Sequence, residues 1–542
     1  MIKRLLQHPV TVLLLVCVAV FFMHLEVMYV NIMEARNFVT AREMVTDGNW
    51  LLTTMNGLPR YEKPPLPTWL TAVSGMLFGM KSLFALRLPA ALAATFMVWM
   101  LYRFSALVGE SKSFGLKTAV IAVTSFYIVF SGRNGQWDIF AHSFMIAGIY
   151  FFFRFLKYRN HLWKHALLAA FFTGCSFLSK GPVSLYALFL PFLLAYGWVY
   201  RFNGFKVRIF PFIAFLLLAV GLGLSWYVYV RLADPEAFLA IATEEAVNWK
   251  SYNIRPFYYY WSFFTQSGIW TISAFAGLLY PYLKNRVRHK KAYLFGFLWT
   301  VFSVVLLSLI PEKKSRYLLP VLIPLALTTA FYIDYLIRDF AGLKRKRETF
   351  PVYFNFGLIA GIGIAFPLAG YLFFGERLAG LEVYFILVSI ILLLTGISIF
   401  IQLKKKNIRL VFWLTIAFTI GIITFGFPIA RAFNTNTNFR NVDGVREYVE
   451  KNGLKLYVFS EIAPETVWHY GQPVPLLRKN NRIIFPSETG FGVVVVPDEE
   501  EEFRRTFEAD FTLELIEVFN LNYQKEYKNR LIGKFYRLTK RP

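Results

Sequence analysis

The chain has 542 residues, of which 56% are hydrophobic and 19% aromatic, and its formal net charge is +25 at pH 7. No water-soluble core needs so much apolar side chain, and apolar runs near the roughly 20 residues that cross a bilayer recur along the sequence. The composition therefore excludes an ordinary soluble protein and predicts a polytopic membrane protein. The runs are continuous rather than alternating, which favours α-helices over a closed barrel.

The apolar runs predict about thirteen membrane-spanning helices. We interpret the first as a retained signal anchor, because it is long and is poorly followed by the small residues of a cleavage site. Cys17 and Cys175 both fall in predicted spans, so no disulfide framework is available. The predicted spans lie near residues 9–30, 83–102, 117–131, 138–153, 165–178, 183–200, 209–230, 258–281, 292–310, 318–337, 351–374, 381–402 and 410–430.

The positive charge is concentrated in short basic clusters between the predicted spans, among them residues 284–291, 344–347 and 404–409. This is the pattern of cytoplasmic loops in membrane proteins, so we attribute the charge to membrane topology and expect no nucleic acid partner. With these loops in the cytoplasm, the N-terminus is inside. After an odd number of spans, the C-terminus is outside.

Two long loops, 31–82 and 231–257, are then external. The first carries amphipathic stretches near 35–45 and 66–80 that are suited to the membrane surface, which predicts juxtamembrane helices.

After Arg431 charge becomes frequent and the apolar runs shorten. We therefore divide the chain into a transmembrane catalytic domain, residues 1–431, and a soluble α/β domain outside the membrane, residues 432–542. The predicted elements of the second domain are strands at 455–459 and 491–497 and helices at 442–452 and 498–507.

Polar side chains beside a membrane are unfavourable unless partnered, so the external clusters are candidate functional residues. Glu34 and Arg36 directly follow the first span, where anchoring by a local ion pair is the alternative. Glu62 and Lys63 precede two prolines that keep the backbone extended, so they can present a carboxylate and an ammonium to one cavity. A solvated pair without function is the alternative there.

Asp138 opens a predicted span, where the helix dipole stabilises a carboxylate and capping is the alternative. Lys180 lies in a tight external turn, and Lys313, Arg316 and Tyr317 lie in another that is unusually rich in cations. Cations there indicate an anionic ligand such as phosphate. Together these groups predict chemistry on a lipid-linked phosphate: cations neutralise the leaving group, and a carboxylate deprotonates or orients the acceptor or holds a divalent metal.

The ordered set of motifs over residues 1 to about 330 resembles the bacterial lipid A aminoarabinose transferases and the wider protein-mannosyltransferase-like branch of the GT-C glycosyltransferases. The resemblance implies a bacterial inner-membrane enzyme that takes a sugar from a polyprenyl (undecaprenyl) phosphate. It would transfer that sugar, with inversion, to a periplasmic acceptor such as lipid A, another glycolipid or a protein. The motifs are Glu34-Ala35-Arg36, Ala41-Arg42-Glu43-Met44, Gly48-Asn49-Trp50, Tyr61-Glu62-Lys63-Pro64, Asp138, Ser179-Lys180-Gly181, Pro256-Phe257-Tyr258-Tyr259, and Lys313 to Tyr317 followed by Leu318-Leu319-Pro320.

The resemblance carries an active-site position to Glu62, Lys63, Asp138, Lys180 and Tyr317. We expect a GT-C fold and a monomer among membrane lipids. The complete predicted set comprises the catalytic carboxylates Glu34, Glu62 and Asp138 and the donor-phosphate ligands Lys63, Arg36, Lys180, Lys313, Arg316 and Tyr317.

Two positions depart from the family pattern. Met33 stands where these transferases have an aspartate, and Asn253 stands where they have a metal-ligand histidine. The predicted metal ligands are thus Glu62 and Asn253. An asparagine oxygen suits magnesium or manganese better than zinc, and operation without a metal is the other interpretation.

Two other functions remain open. A flippase or transporter of lipid-linked sugars would share the charged cavity, but it would need polar residues deep inside its spans, and most spans here have none. A non-catalytic relative would keep the fold, and Met33 and Asn253 make that interpretation reasonable.

Overall fold

The computed structural model describes residues 7–202, 204–434, 436–479, 482–524 and 528–542. Helices account for most of the described chain up to residue 433, and a mixed sheet follows. The helices of the first part are α1 (Pro9–Cys17), α2 (Ile32–Thr46), α3 (Leu66–Phe78), α4 (Leu83–Val108), α5 (Lys112–Val123), α6 (Phe126–Gly132), α7 (Trp137–Lys157), α8 (Leu162–Lys180), α9 (Leu190–Tyr200), α10 (Ile209–Ala233), α11 (Pro235–Ser251), α12 (Thr271–Leu278), α13 (Tyr280–Leu283), α14 (Lys290–Leu309), α15 (Leu319–Asp339), α16 (Lys346–Phe374), α17 (Glu382–Lys404) and α18 (Ile408–Gly421).

Eight helices of the described chain are long and apolar enough to cross a membrane, and the pair α5 and α6, bent by 73°, would make a ninth. The recurrence of such helices confirms the polytopic helical class. The count of thirteen stays a prediction. The eight segments are Leu83–Val108, Trp137–Lys157, Lys206–Ala233, Lys290–Leu309, Ser315–Gly342, Lys346–Leu378, Glu382–Lys404 and Ile408–Phe433.

Two predicted spans differ from the structure. The segment predicted as one helix over 258–281 is divided into 3₁₀ turns, Phe257–Tyr260 and Phe263–Trp270, before α12. Gly268 has a φ of 64°, a left-handed conformation that no α-helix continues through. The first helix is also shorter than predicted, because its continuation as a π turn ends at Phe22.

Loop 31–82 contains two helices and a hairpin that are held by polar contacts. Its two amphipathic stretches form α2 and α3, as predicted, and Asn31 begins α2 with a capping box to Glu34. Between the helices, strands β1 (Thr54–Met55) and β2 (Leu58–Pro59) pair as a short antiparallel hairpin that the sequence did not predict. The hairpin ends immediately before the segment that carries Glu62 and Lys63.

The described residues after 442 form a four-stranded sheet with three helices. The strand order is β3 (Leu456–Val458), β6 (Gly490–Val495), β8 (Ile532–Lys540) and β7 (Phe511–Asn520), with β3 parallel to β6 and the other pairs antiparallel. The four elements predicted from sequence are present, whereas the long β7–β8 hairpin was not predicted. The existence of a separate soluble domain from residue 432 stays a prediction. The elements are α19 (Asp443–Asn452), β3 (Leu456–Val458), α20 (Pro464–Tyr470), β4 (Arg478–Lys479), β5 (Arg482–Ile483), β6 (Gly490–Val495), α21 (Glu500–Phe507), β7 (Phe511–Asn520) and β8 (Ile532–Lys540).

Candidate active site

Asp138 and Lys180 form a buried ion pair where α7 begins and α8 ends. Asp138 lies in the first turn of α7, and Lys180 is the last residue of α8, followed by Gly181 with a φ of 69°. The Lys180 ammonium donates to the Asp138 carboxylate, and both side chains are less than a tenth exposed. The Lys180 nitrogen also lies 5.4 Å from the ring centre of Tyr317. Three predicted site residues from distant parts of the chain therefore meet here.

Arg316 adds a second cation to this pair. It interacts electrostatically with both Asp138 and Lys180, and its guanidinium carbon lies 5.7 Å from the Tyr317 ring centre. Its Nε atom is buried and has no hydrogen-bond partner within the described chain. The Tyr317 hydroxyl donates to Glu312, at 3.1 Å. Arg316 thus brings an unused donor to the pair.

The hairpin β1–β2 delivers Arg60 and Glu62 to the same region. Arg60 is buried, with its guanidinium carbon 4.9 Å from the ring centre of Trp137, the residue before Asp138. Burial lowers the pKa of Arg60 to about 10, although the Glu62 carboxylate opposes the shift. The Arg60 Nε and Glu62 Oε2 atoms are 3.7 Å apart, and neither has a hydrogen-bond partner in the described residues. A polar ligand could satisfy both atoms.

Lys63 and Arg36 complete the cluster. The Lys63 ammonium lies 3.7 Å from Glu245 of α11 and interacts electrostatically with Lys180. Arg36, on α2, is half-buried and interacts with Arg60, while its own Nε is buried without a hydrogen bond from any described residue. Cations outnumber carboxylates in the resulting site cluster, which comprises Arg36, Arg60, Glu62, Lys63, Asp138, Lys180, Glu245, Arg316 and Tyr317. An excess of positive charge in a partly buried cluster favours an anionic ligand.

Glu34 does not face this cluster. Its carboxylate is fully buried and receives Nε and Nη2 of Arg87 at 2.7 and 3.0 Å. It also accepts from the Gly135 amide at 3.0 Å and from the Asn31 side chain at 2.9 Å. These donors occupy both oxygens, so the geometry supports the ion-pair alternative for Glu34 and gives no support to its predicted catalytic role.

Lys313 is also directed away from the cluster. Its ammonium donates to the carbonyls of Ile310, Arg255 and Pro311 at 2.6, 3.0 and 3.5 Å, and burial lowers its pKa. All three protons of the ammonium are therefore committed to the backbone. The predicted role of Lys313 in phosphate binding conflicts with this arrangement, because no donor remains for a phosphate.

The predicted metal ligands do not form a recognisable metal site. Asn253 has a φ of 52°, and its backbone carbonyl accepts from the Lys313 backbone amide at 3.1 Å. The Glu62 Oε2 atom lies 3.7 Å from the Arg60 Nε atom, so the arginine competes with a metal for this carboxylate. No three His, Cys, Asp or Glu side chains come together in the part of the chain that the structure describes. An Mg²⁺ held by one carboxylate and substrate phosphates would not need such a group, so the metal with Glu62 and Asn253 as ligands stays a prediction.

Comparison with known proteins places this geometry in context. A family model for dolichyl-phosphate-mannose-protein mannosyltransferases matches residues 62–232. The chain is 26% identical over 343 residues to an undecaprenyl phosphate-alpha-4-amino-4-deoxy-L-arabinose arabinosyl transferase of Proteus mirabilis. The aligned part covers 62% of this chain and 61% of that protein. A second such transferase, from Erwinia tasmaniensis, is 22% identical over 342 residues, with the same shares covered. The match spans about three fifths of the length of these curated relatives.

The whole-chain comparison decides the fold. The crystal structure of ArnT from Cupriavidus metallidurans bound to undecaprenyl phosphate matches with a TM-score of 0.67 and 16% identity, covering 99% of this chain and 98% of that one. The apo form of the same protein gives a TM-score of 0.66. The chain therefore has the fold of this solved membrane protein. The family-model match begins at Glu62 and contains Lys63, Asp138 and Lys180, so those positions lie in the aligned part of this multi-pass protein.

Two members of the site cluster, Arg60 and Glu245, and the neighbouring Trp137 were missed by sequence reasoning. Arg60 directly precedes the Tyr61-Glu62-Lys63 motif, and Glu245 lies in the charged stretch 234–255, so composition alone could have drawn attention to both. Trp137 borders the cluster next to Asp138. Only the fold brings its ring under Arg60, so no sequence signal distinguishes it from an ordinary interfacial tryptophan.

Proposed function

We propose that the protein is a glycosyltransferase that moves a sugar from a polyprenyl phosphate to an acceptor, with inversion. The proposal rests above all on the meeting of the Asp138–Lys180 pair with Arg316 and Lys63. It is supported by the similarity to proteins named as undecaprenyl phosphate aminoarabinose transferases. The acceptor class is a glycolipid such as lipid A, or a protein.

The cations act on the leaving group. When the bond between the anomeric carbon and the phosphate oxygen breaks, the electron pair goes to the polyprenyl phosphate, which leaves with an added negative charge. Lys63, Lys180 and Arg316 are placed to stabilise that charge. Fixed charges in a site with little water contribute most when they need not reorganise, and Asp138 holds Lys180 in place by direct ion pairing.

Glu62 is the carboxylate best placed to receive the acceptor proton. Its side chain is 35% exposed, and its Oε2 atom has no hydrogen bond in the described residues. The acceptor hydroxyl gives its proton to this carboxylate as its oxygen bonds to the anomeric carbon, opposite the departing phosphate. Asp138 is committed to Lys180, so its role is to hold that lysine. No step passes through a metal.

The proposed topology is the one that the sequence predicts. The protein would lie in the bacterial inner membrane as a monomer with about thirteen spans and a cytoplasmic N-terminus. The site cluster and a soluble α/β domain from residue 432 would face the periplasm. Charge distribution supports this orientation, because the short basic loops lie at the opposite ends of the predicted spans.

The decisive test is turnover by the purified protein. Incubation with a polyprenyl phosphate-linked sugar and an acceptor extract should release free polyprenyl phosphate. Lys63→Ala and Arg316→Ala should each lower donor use about 10- to 100-fold, the value of one hydrogen bond to a charged group. The matched control is Lys455→Ala, which removes a lysine that is 71% exposed and pairs with Glu488.

The outcomes separate the three functions. Release that depends on Lys63 and Arg316 supports the transferase. Movement of the labelled donor across vesicles without release would identify a flippase, and binding of undecaprenyl phosphate without turnover would identify a non-catalytic relative. Folded Lys63→Ala and Arg316→Ala proteins with full activity would refute the assigned site.

A further inference from the structure

One asparagine ties the segment that carries Arg60 and Glu62 to the C-terminal part of the chain. Asn56 lies at the turn of the β1–β2 hairpin with a φ of 57°, a conformation that asparagine tolerates better than most residues. Its side-chain nitrogen donates to the Val474 carbonyl at 2.8 Å, and its side-chain oxygen accepts from the Val474 amide at 2.6 Å. Asn56 therefore satisfies both backbone groups of one residue 418 positions away.

The β1–β2 hairpin links this contact to Arg60, because hydrogen bonds fix the hairpin both at its turn and at its base. The fully buried Glu43 of α2 accepts from the Asn56 amide at 2.7 Å, from the Gly57 amide at 3.2 Å and from the Thr54 hydroxyl at 2.6 Å. At the base of the hairpin, the Arg60 amide donates to the Thr53 carbonyl at 2.8 Å, and the Thr53 hydroxyl donates back to the Arg60 carbonyl. Little freedom remains between Asn56 and Arg60.

On the other side of the contact, Val474 belongs to the core of the sheet. It is 1% exposed and packs in the cluster that contains Val458 of β3. The carbonyl of Pro475, the residue after Val474, accepts a hydrogen bond from the Val458 amide. The Leu477 amide donates in turn to the Val458 carbonyl. A continuous chain of contacts thus runs from β3 through Val474 and Asn56 to Arg60.

We infer that the C-terminal region positions the Arg60–Lys63 segment through Asn56, which makes Asn56 a positioning residue for the reaction. The inference rests on the proposed function for its kinetic consequence, but not for its structural one. A simpler role, general docking of the C-terminal region, is represented by Arg42 of α2. Its two terminal nitrogens donate to the carbonyls of Val467 and Trp468 at 3.2 and 3.5 Å, away from the hairpin.

The variants separate these roles. Asn56→Gly keeps the left-handed turn and deletes both bonds to Val474, whereas Asn56→Asp keeps the acceptor for the Val474 amide and loses the donor. Arg42→Gln weakens docking without touching the hairpin. Glu110 also has a left-handed backbone conformation, with a φ of 52°. Glu110→Gly therefore controls for the effect of placing glycine at such a position.

The kinetic readout is the transferase reaction with a polyprenyl phosphate-linked sugar. Asn56→Gly should change KM for the donor or kcat about tenfold, as expected for displaced reacting groups, and Asn56→Asp should lie between it and the wild type. Arg42→Gln and Glu110→Gly should retain wild-type constants per folded molecule. An Asn56→Gly protein with wild-type KM and kcat would overturn the inference.

A second readout is independent of activity. Hydrogen exchange should become faster at the amides of Asn56, Gly57 and Arg60 in Asn56→Gly and remain unchanged there in Arg42→Gln. If the wild type transfers no sugar, the proposed function fails. Hydrogen exchange then remains the test of whether the contact with Val474 holds the segment that contains Arg60. Unchanged exchange at Arg60 in Asn56→Gly, or equal acceleration in Arg42→Gln, would refute it.

Discussion

Replacing Arg87 with methionine should be one of the most destabilising single changes in this protein. Arg87 and Glu34 are each 1% exposed and pair through two hydrogen bonds. Arg87 also donates to the carbonyls of Leu25, Met28 and Tyr29, at 2.5, 2.8 and 3.3 Å. It thereby closes the turn between the first helix and α2, and its loss removes the countercharge of a buried carboxylate and the side-chain donors to three carbonyls.

The expected magnitude follows from these contacts. Breaking a buried ion pair by removing one partner lowers the free energy of unfolding by about 3–5 kcal/mol, because the remaining charge is uncompensated. Glu34→Gln should have a smaller effect, about 1.5–3 kcal/mol, since the amide keeps some hydrogen bonds and Arg87 keeps its carbonyls. The double replacement by methionine should cost less than the sum of the two single methionine changes.

The assay is reversible unfolding of the detergent-solubilised protein, combined with turnover per folded molecule. Arg87→Met and Glu34→Gln should lose stability while the folded fraction keeps its activity. A Glu34→Gln protein of normal stability with no turnover would refute this reasoning and restore the predicted catalytic role of Glu34. Additive effects of the two methionine substitutions would show that the pair is not coupled.

Three further results are expected. Lys313→Met should lower the thermal midpoint yet leave the Kd for undecaprenyl phosphate unchanged, in contrast to Lys63→Ala, because its ammonium is committed to backbone carbonyls; a weakened Kd in the folded variant would contradict this. Glu245→Gln should tighten undecaprenyl phosphate binding by up to about fivefold in a titration at low salt, since it releases Lys63 from a partly exposed pair worth roughly 0.2–1 kcal/mol. EDTA should leave turnover unchanged, because no three His, Cys, Asp or Glu side chains come together among the described residues and Arg60 faces the Glu62 carboxylate; loss of activity that added Mg²⁺ restores would reverse that expectation.

Much of the site could be predicted because helix ends are visible in a sequence. Asp138 and Lys180 border apolar runs, and successive antiparallel spans bring the start of one beside the end of the next. The elements of loop 31–82 follow from amphipathic periodicity in the same way. Features local to each element therefore made these residues candidates, and the resemblance to the aminoarabinose transferases assigned several of them to one active site.

The remaining features depend on partners that are remote in sequence. Glu34 and Lys313 have the residue types and sequence neighbours that are typical of functional groups, so the sequence did not reveal their structural roles. The ion-pair partner of Glu34, Arg87, lies 53 positions away, and the carbonyls that accept from Lys313 have no sequence signature. The division of 258–281 was missed for a related reason, since apolar 3₁₀ turns and an apolar span have the same composition. Hydropathy measures burial and does not specify the backbone geometry.

The partners of the three predicted catalytic carboxylates also bear on position 33, where methionine stands in place of the aspartate of the aminoarabinose transferases. Each predicted catalytic carboxylate lies near a cation: Arg87 near Glu34, Lys180 near Asp138 and Arg60 near Glu62. Only the third arrangement is open, because the charges are 3.7 Å apart and the Glu62 oxygen accepts no hydrogen bond from the described residues. A substrate hydroxyl can therefore reach Glu62 without breaking a contact pair. Glu62 also belongs to the segment that Asn56 ties to Val474, so the geometry favours Glu62 over Glu34 and Asp138 as the acid that would face an acceptor.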